Sequence, residues 1–263
     1  MSIKYGNQYN DNIIIENKEL EIPPLGFQNT GAICYFNALI QCLLSSKNFL
    51  RFIIHDNQNP IFLDFFKAII EDKWNILFTT KLLHECDMIR PNQSSSEYFI
   101  FLIDFLKFEP IFECLHTLTI VCKNCGHTKE KEDRSYNVLV NQSIQEFFEC
   151  SEEIENFNCE NCKTKTTITQ KKVITALPPV IVFSLNKYFG KHLLDYPKFF
   201  KYQDTAYILV GTVEHSGMLG GGHYVSRIFR DNKYYNANDQ YVASIAELVP
   251  VADTYMLFYE RIQ

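Results

Sequence analysis

The stretch GFQNTGAICYFNALIQ, Gly26 to Gln41, sets one cysteine at the point where a loop becomes a helix. Turn formers and polar side chains precede Cys34. After it, Tyr35, Phe36, Ala38, Leu39 and Ile40 have the spacing of a buried helical face. Two readings compete for Cys34. It is either the first core residue of that helix or a nucleophile at the helix's positive end, where unpaired N–H groups favour a thiolate. Gly31 and Ala32 leave room for a substrate carbonyl, and Asn29 carries an amide that could donate to an oxyanion.

Outward from this stretch the chain reads first as helix and then as strand. Asn59 followed by Pro60 predicts a helix start, with Ile61, Phe62, Phe65, Phe66, Ile69 and Ile70 as its apolar face. SSSEYFIFLIDFLKF carries Ser94 and Glu97 at the spacing of a capping box, and its all-round apolar character predicts a central helix. Beyond Pro110 the texture changes. CLHTLTIVCKNCGH, KTTITQKKVI, VIVFSLNKY, AYILVGTVEH, HYVSRIFR, KYYNAN and TYMLFYERI read as strands. Helices followed by strands predict an α+β protein. Residues 1–25 read as a leader, in which IIIENKELEI either adds a strand or drapes over the surface.

A hydrophobic content of 46 % over 263 residues is ample for a core. With 31 acidic against 25 basic residues the net charge is −6, which argues against nucleic acid as a partner. No stretch reads as a signal peptide or membrane span, so a reducing compartment, cytosol or nucleus, is expected. There the nine cysteines are not expected to form disulfides, and their odd number excludes a full set. Two C-x-x-C pairs stand out, Cys122/Cys125 and Cys159/Cys162. They match the four-thiolate ligation of one structural zinc ion, against the alternative of free thiols. His127 beside the first pair reads as a surface residue.

A reactive Cys34 needs a base. Of seven histidines, His223 has the strongest claim, because GGGHYVSRIFRDNKYYNANDQYV places it at the start of a hairpin turning at Asp231-Asn232. The returning strand brings Asn238 or Asp239 back beside the imidazole, where a side-chain oxygen holds its tautomer. The glycines before His223 allow backbone to approach a ligand closely. Spacing alone goes no further than a thiol hydrolase.

The residues also resemble a known family. GFQNTGAICYFNALIQCL resembles the cysteine box of the ubiquitin-specific proteases, G-L-x-N-x-G-x-T-C-Y-M-N-x-x-x-Q, and GGHYVSRIFRDNKYYNANDQYV their histidine box. NQSSSEYF, ALPPVIVFSLNKY and YMLFYER resemble further blocks in the family's order, so the resemblance covers Gly26 to Arg261. It implies a papain-like thumb–palm–fingers catalytic domain over 26–263, with thumb about 26–110, zinc-ribbon-like fingers about 111–175 and palm about 176–263. It implies Cys34 as nucleophile, Asn29 as oxyanion donor, His223 as general base and Asn238 as third member, with Asp239 assisting. Hydrolysis after the C-terminal glycine of ubiquitin, through a thioester, is the reaction implied. The expected partner is ubiquitin or its conjugates, and the expected state a monomer.

Departures from the family pattern bear on the substrate. Ser94 stands where the family's box places an aspartate expected to contact the basic ubiquitin tail, while Glu97 keeps the second acid and Tyr224 the aromatic after the histidine. Two other readings therefore stay open: a ubiquitin-binding adaptor without turnover, and a protease for another ubiquitin-like modifier. The glycine-rich residues 211–222 are expected to be mobile enough to let the site realign.

Overall fold

The switch in sequence periodicity near Pro110 is also the switch in architecture. The computed structural model describes residues 4–5, 22–56, 59–85, 94–141, 143–148, 151–186, 196–218 and 221–262. After a two-residue strand, β1 (Lys4–Tyr5), six helices follow: α1 (Cys34–Leu43), α2 (Lys47–His55), α3 (Pro60–Ile70), α4 (Ile76–Glu85), α5 (Ser95–Leu106) and α6 (Glu109–Phe112). Asn59 caps α3 as its position predicts, its side chain accepting from the N–H groups of Ile61 and Phe62. Helices α2 and α4 have no counterpart in the sequence reading, although Ser46 caps α2 by accepting from Phe49 N–H.

The strands build two sheets. A small one runs β3 (Thr128–Ser135), β2 (Cys114–Cys122), β6 (Lys165–Ala176), β5 (Ser151–Asn158), all antiparallel. The large sheet runs β12 (Tyr241–Ile245), β11 (Lys233–Asn238), β10 (Gly221–Arg230), β9 (Thr205–Met218), β13 (Thr254–Ile262), β7 (Val180–Leu185), β4 (Val138–Val140). A side branch pairs β8 (Phe199–Tyr202) with β9, and β1 (Lys4–Tyr5) with β8. Between its two excursions into the small sheet, the chain returns to the large one through β4, parallel to β7, and a short helix α7 (Gln145–Phe148).

Period-2 alternation explains how the large sheet is covered on both faces. Val180 and Val182 of β7, with Met256 and Phe258 of β13, face the core shared with α1, α2, α3 and α5. Their neighbours Ile181, Phe183, Leu257 and Tyr259 face a second core with Phe147, Phe148, Phe200 and Tyr207. The helical core is aromatic. Phe108 meets Phe49 and Phe62 edge-on with ring centroids 5.1 Å apart in each case. Among the described residues no helix is long and apolar enough to cross a membrane.

Two expectations change. Ser94 is the N-cap residue of α5 but its side chain makes no capping bond; its hydroxyl turns to Ser96 and Tyr255 instead. Helix α5 is not buried all round, because Ile100, Phe101 and Phe105 stay 37–43 % exposed. The strand read at AYILVGTVEH is present as β9, and residues 211–218 pair with β10, with β13 beside them up to Glu214. Of the leader, β1 adds a strand and Ile22 is buried, while most of IIIENKELEI lies outside the described residues, as do Cys86, Cys150, His192, Lys187 and Tyr188.

Candidate active site and metal centre

Helix α1 starts at Cys34, and all ten of its residues are buried. The loop before it is shaped by Asn29, whose Oδ1 accepts from the N–H groups of Gly31 at 3.0 Å and Ile33 at 3.3 Å. That turn forces Ala32 into the left-handed region at φ 52°. The other end of the Asn29 amide, Nδ2, donates to Asp239 Oδ2 at 3.0 Å. The loop docks on the hairpin's end: Phe27 N–H donates to Asp239 O at 2.9 Å. A Cβ on Gly26 would come within 2.2 Å of Gln240 O, so only glycine permits this approach.

The hairpin is built as its sequence predicts. Asp231 and Asn232 both take positive φ, 51° and 56°, the turn that matches strand twist. Ser226 pairs with Ala237, which sets His223 and Asn238 diagonally on one face. Their side chains meet, His223 Nε2 to Asn238 Oδ1 at 2.7 Å. Because a carbonyl oxygen only accepts, Nε2 is the donor in this contact, which leaves Nδ1 as the ring nitrogen free to face another group. Asp239 does not share this work. Its Oδ1 accepts from Asn37 Nδ2 at 2.8 Å and its Oδ2 from Asn29.

Cys34 is 8 % exposed. Burial pushes its thiol above the ordinary range. The backbone N–H of Tyr224, the residue after His223, opposes this by hydrogen bonding to the sulfur. The Asp239 charge raises the pKa further, and the N–H groups of Tyr35 and Cys34 itself lower it. Tyr224 stacks on His215 at 4.3 Å between ring centroids, and a Cβ on Gly222 would strike the His215 ring at 2.3 Å. That glycine therefore makes room for a side chain of the fold rather than for a ligand. Glu97 is exposed, and Ser94, Ser96 and Tyr255 form a triangle of hydroxyls, with Tyr255 at 2.7 Å from Ser94 and 2.6 Å from Ser96.

The sequence reading missed Arg230. It is 6 % exposed and ties β10 to the C-terminal end of α1, donating to Gln41 O, Gln41 Oε1 and Ser45 Oγ at 3.0–3.2 Å and to Pro23 O at 3.1 Å. Its only advance signal is an arginine closing an otherwise alternating strand.

On the small sheet, Cys122, Cys125, Cys159 and Cys162 bring their sulfurs within 4.8 Å of one another. Cys122 and Cys162 lie 3.9 Å apart, Cys125 and Cys159 3.8 Å. A tetrahedron with Zn–S bonds of about 2.3 Å has S···S edges of about 3.8 Å, so the donor set fits one zinc ion with no open position. Among the described residues the cysteines form no disulfide. The Asn161 amide, then the backbone N–H of His127, pull the Cys125 thiol below its usual range. The Thr164 hydroxyl and then the Asn124 amide bring Cys162 down to about 6. His127 itself is exposed.

Comparison with known proteins agrees with the sequence resemblance. Residues 25–259 match the family model for ubiquitin carboxyl-terminal hydrolase. The chain is similar to ubiquitin carboxyl-terminal hydrolase 10 of Arabidopsis thaliana, 31 % identical over 40 % of this chain and 14 % of that one. It is also similar to ubiquitin carboxyl-terminal hydrolase 25 of the same plant, 24 % identical over 94 % of this chain and 49 % of that one. Its fold resembles that in the structure of the SAGA Ubp8/Sgf11/Sus1/Sgf73 DUB module bound to ubiquitin aldehyde. The TM-score is 0.76 at 19 % identity, covering 95 % of this chain and 72 % of that one. The chain spans less than two thirds of the length of the curated relatives it first matches, from 14 % to 65 %.

Proposed function

The chain belongs to the ubiquitin carboxyl-terminal hydrolase family, and from that premise we propose that it is a cysteine-dependent deubiquitinase cutting after the C-terminal glycine of ubiquitin. One observation carries the reading. His223 Nε2 is held by Asn238 Oδ1 at 2.7 Å, and the end of the same hairpin is tied to the loop before Cys34 through Asp239 and Asn29 at 3.0 Å.

The Cys34 thiol gives its proton to His223 Nδ1, and the thiolate attacks the glycine carbonyl. The tetrahedral oxyanion takes hydrogen bonds from backbone N–H at the α1 N-terminus and from Asn29, whose NH₂ spends one hydrogen on Asp239 and keeps the other. His223 then returns the proton to the leaving lysine amine, and the thioester forms as the C–N bond breaks. Water, deprotonated by His223, hydrolyses the thioester and releases the glycine carboxylate and free thiol.

On this reading residues 26–110, 111–175 and 176–263 are thumb, fingers and palm, with β4 (Val138–Val140) of the middle stretch paired into the palm sheet. One structural zinc ion held by Cys122, Cys125, Cys159 and Cys162 locks the fingers, in a reducing cytosolic or nuclear setting. Metal analysis should give one zinc per chain; a well-folded metal-free chain overturns that assignment.

The activity is tested with a fluorogenic ubiquitin C-terminal amide. Cys34→Ala should abolish turnover and retain ubiquitin binding, and wild-type turnover by that variant overturns the assignment. The neutral triangle of Ser94, Ser96 and Tyr255 favours a second reading, a protease for another modifier. Electrophilic probes built on ubiquitin and on other modifiers decide between them by which one labels Cys34.

A further inference from the structure

The two cysteine knuckles are the same turn used twice. In the first, Gly126 N–H donates to Cys122 O and Cys122 N–H to His127 O; in the second, Lys163 N–H donates to Cys159 O and Cys159 N–H to Thr164 O. The residue after each second cysteine has positive φ, 69° at Gly126 and 57° at Lys163. Within each C-x-x-C the first spacer differs, Lys123 against Glu160, and the second is Asn in both.

Those two asparagines reach across. Asn124 Nδ2 donates to Cys162 Sγ at 3.6 Å, and Asn161 Nδ2 to Cys125 Sγ at 3.5 Å. Asn124 also reaches Thr164 Oγ1 at 3.3 Å, which lies 3.1 Å from Cys162 Sγ. Each amide thus serves the second cysteine of the opposite knuckle. These are the two sulfurs that need it. Cys122 and Cys159 are buried, beside Ile120, Phe157 and Ile168, whereas Cys125 is exposed and Cys162 half-buried.

We propose that Asn124 and Asn161 are a matched pair of positioning residues that retain the metal by donating to its two solvent-facing thiolates. The proposal rests on the zinc reading above. Four thiolates around a divalent ion leave two excess negative charges on sulfur. Apolar packing shields the inner sulfurs from protons and electrophiles, and the cross-knuckle N–H groups draw charge from the outer ones. Neither amide touches the metal; each fixes the direction and basicity of a thiolate that does.

The test uses the full chain loaded with zinc or with Co(II). Asn124→Asp, Asn161→Asp and the double variant keep the side-chain shape and remove the donor. Gln170→Ala, whose amide bonds Glu152 elsewhere on the small sheet, is the control. Release of zinc to a chromophoric chelator should accelerate about tenfold or more in each single variant. The sulfur-to-Co(II) charge-transfer band should move to longer wavelength as the thiolates become better electron donors, and the control should match wild type in both. If the Asp variants do not fold, Asn124→Ala and Asn161→Ala give the same two readings without the added charge. Loaded variants with unchanged release and an unchanged band overturn this proposal alone. A wild-type chain that takes up no metal overturns the zinc reading and this one together.

Discussion

Asp239 Oδ2 accepts a hydrogen bond from Asn29 Nδ2 at 3.0 Å, so the hairpin that carries the proposed base also holds the loop that carries the proposed nucleophile. With Asn37 on its other oxygen, Asp239 braces both the turn before Cys34 and the helix after it. Asp239→Ala should lower kcat about tenfold or more by loosening Asn29, and should shift the thiol titration of Cys34 to lower pH, because the Asp239 charge raises it. Asn238→Ala should lower kcat about a hundredfold through loss of imidazole orientation, with no such shift. Rate–pH profiles of the two variants check this, and coincident profiles would refute the division of labour.

Burial raises the Cys34 thiol above the ordinary cysteine range. Its thiolate fraction, and with it the rate of alkylation by iodoacetamide in the free protein, should keep rising through the pH range where an ordinary cysteine has levelled off. The rate is read by peptide mass spectrometry against a Cys34→Ser background. A plateau at or below pH 8 would show a pre-activated thiolate.

Arg230 donates into backbone carbonyls at the end of α1 and to Pro23. Arg230→Ala removes the four hydrogen bonds that tie β10 to α1 and to Pro23 and leaves a cavity at a buried site, and should destabilise the fold by about 3 kcal/mol. Urea unfolding measures it, and a loss within 0.5 kcal/mol would make the contact dispensable. Arg230→Lys should not rescue, since one ammonium does not reproduce the fork that spans Gln41, Ser45 and Pro23.

Glu260 lies across the N-terminus of α2, accepting from Lys47 N–H at 3.1 Å and Asn48 N–H at 2.7 Å. Burial raises its carboxyl to about 7, against these N–H groups and the charges of Arg51 and Lys47. The folded state therefore binds more protons than the unfolded chain between about pH 4.5 and 7, and stability falls as pH rises through that window. The stability of wild type minus that of Glu260→Gln should fall by on the order of 3 kcal/mol from pH 4.5 to 7.5. A flat difference would show an unshifted carboxyl.

What the sequence disclosed follows from how local each feature is. The start of α1 at Cys34, the cap at Asn59 and the turn at Asp231-Asn232 are each decided within a few residues, and periodicity marks them. The His223–Asn238 contact is also near-local, because a short turn fixes strand register. The cysteine cluster was legible through spacing alone. Asp239 was placed beside the imidazole because it follows Asn238, yet alternation along the strand end sends its side chain toward Asn29 and Asn37, some 200 residues earlier. Arg230 and Glu260 stayed hidden for the same reason: their partners lie on segments some 190 to 210 residues away and are largely backbone atoms, which leave no local pattern. Ser94 looked like a cap because Glu97 follows at the right interval; Tyr255, 161 residues away, takes its hydroxyl instead.

The return of the chain to β4 and α7 between β3 and β5 has a consequence for the order of assembly. The first cysteine knuckle is made on one outward trip and the second on the next, with a stop at the body between them. Neither trip alone carries four sulfurs. Bringing all four sulfurs together therefore requires β2 and β6 to pair across the interval. A nascent chain halted before residue 159 holds only half of the four-cysteine cluster, so a complete cluster reports that both outward trips have been made and joined.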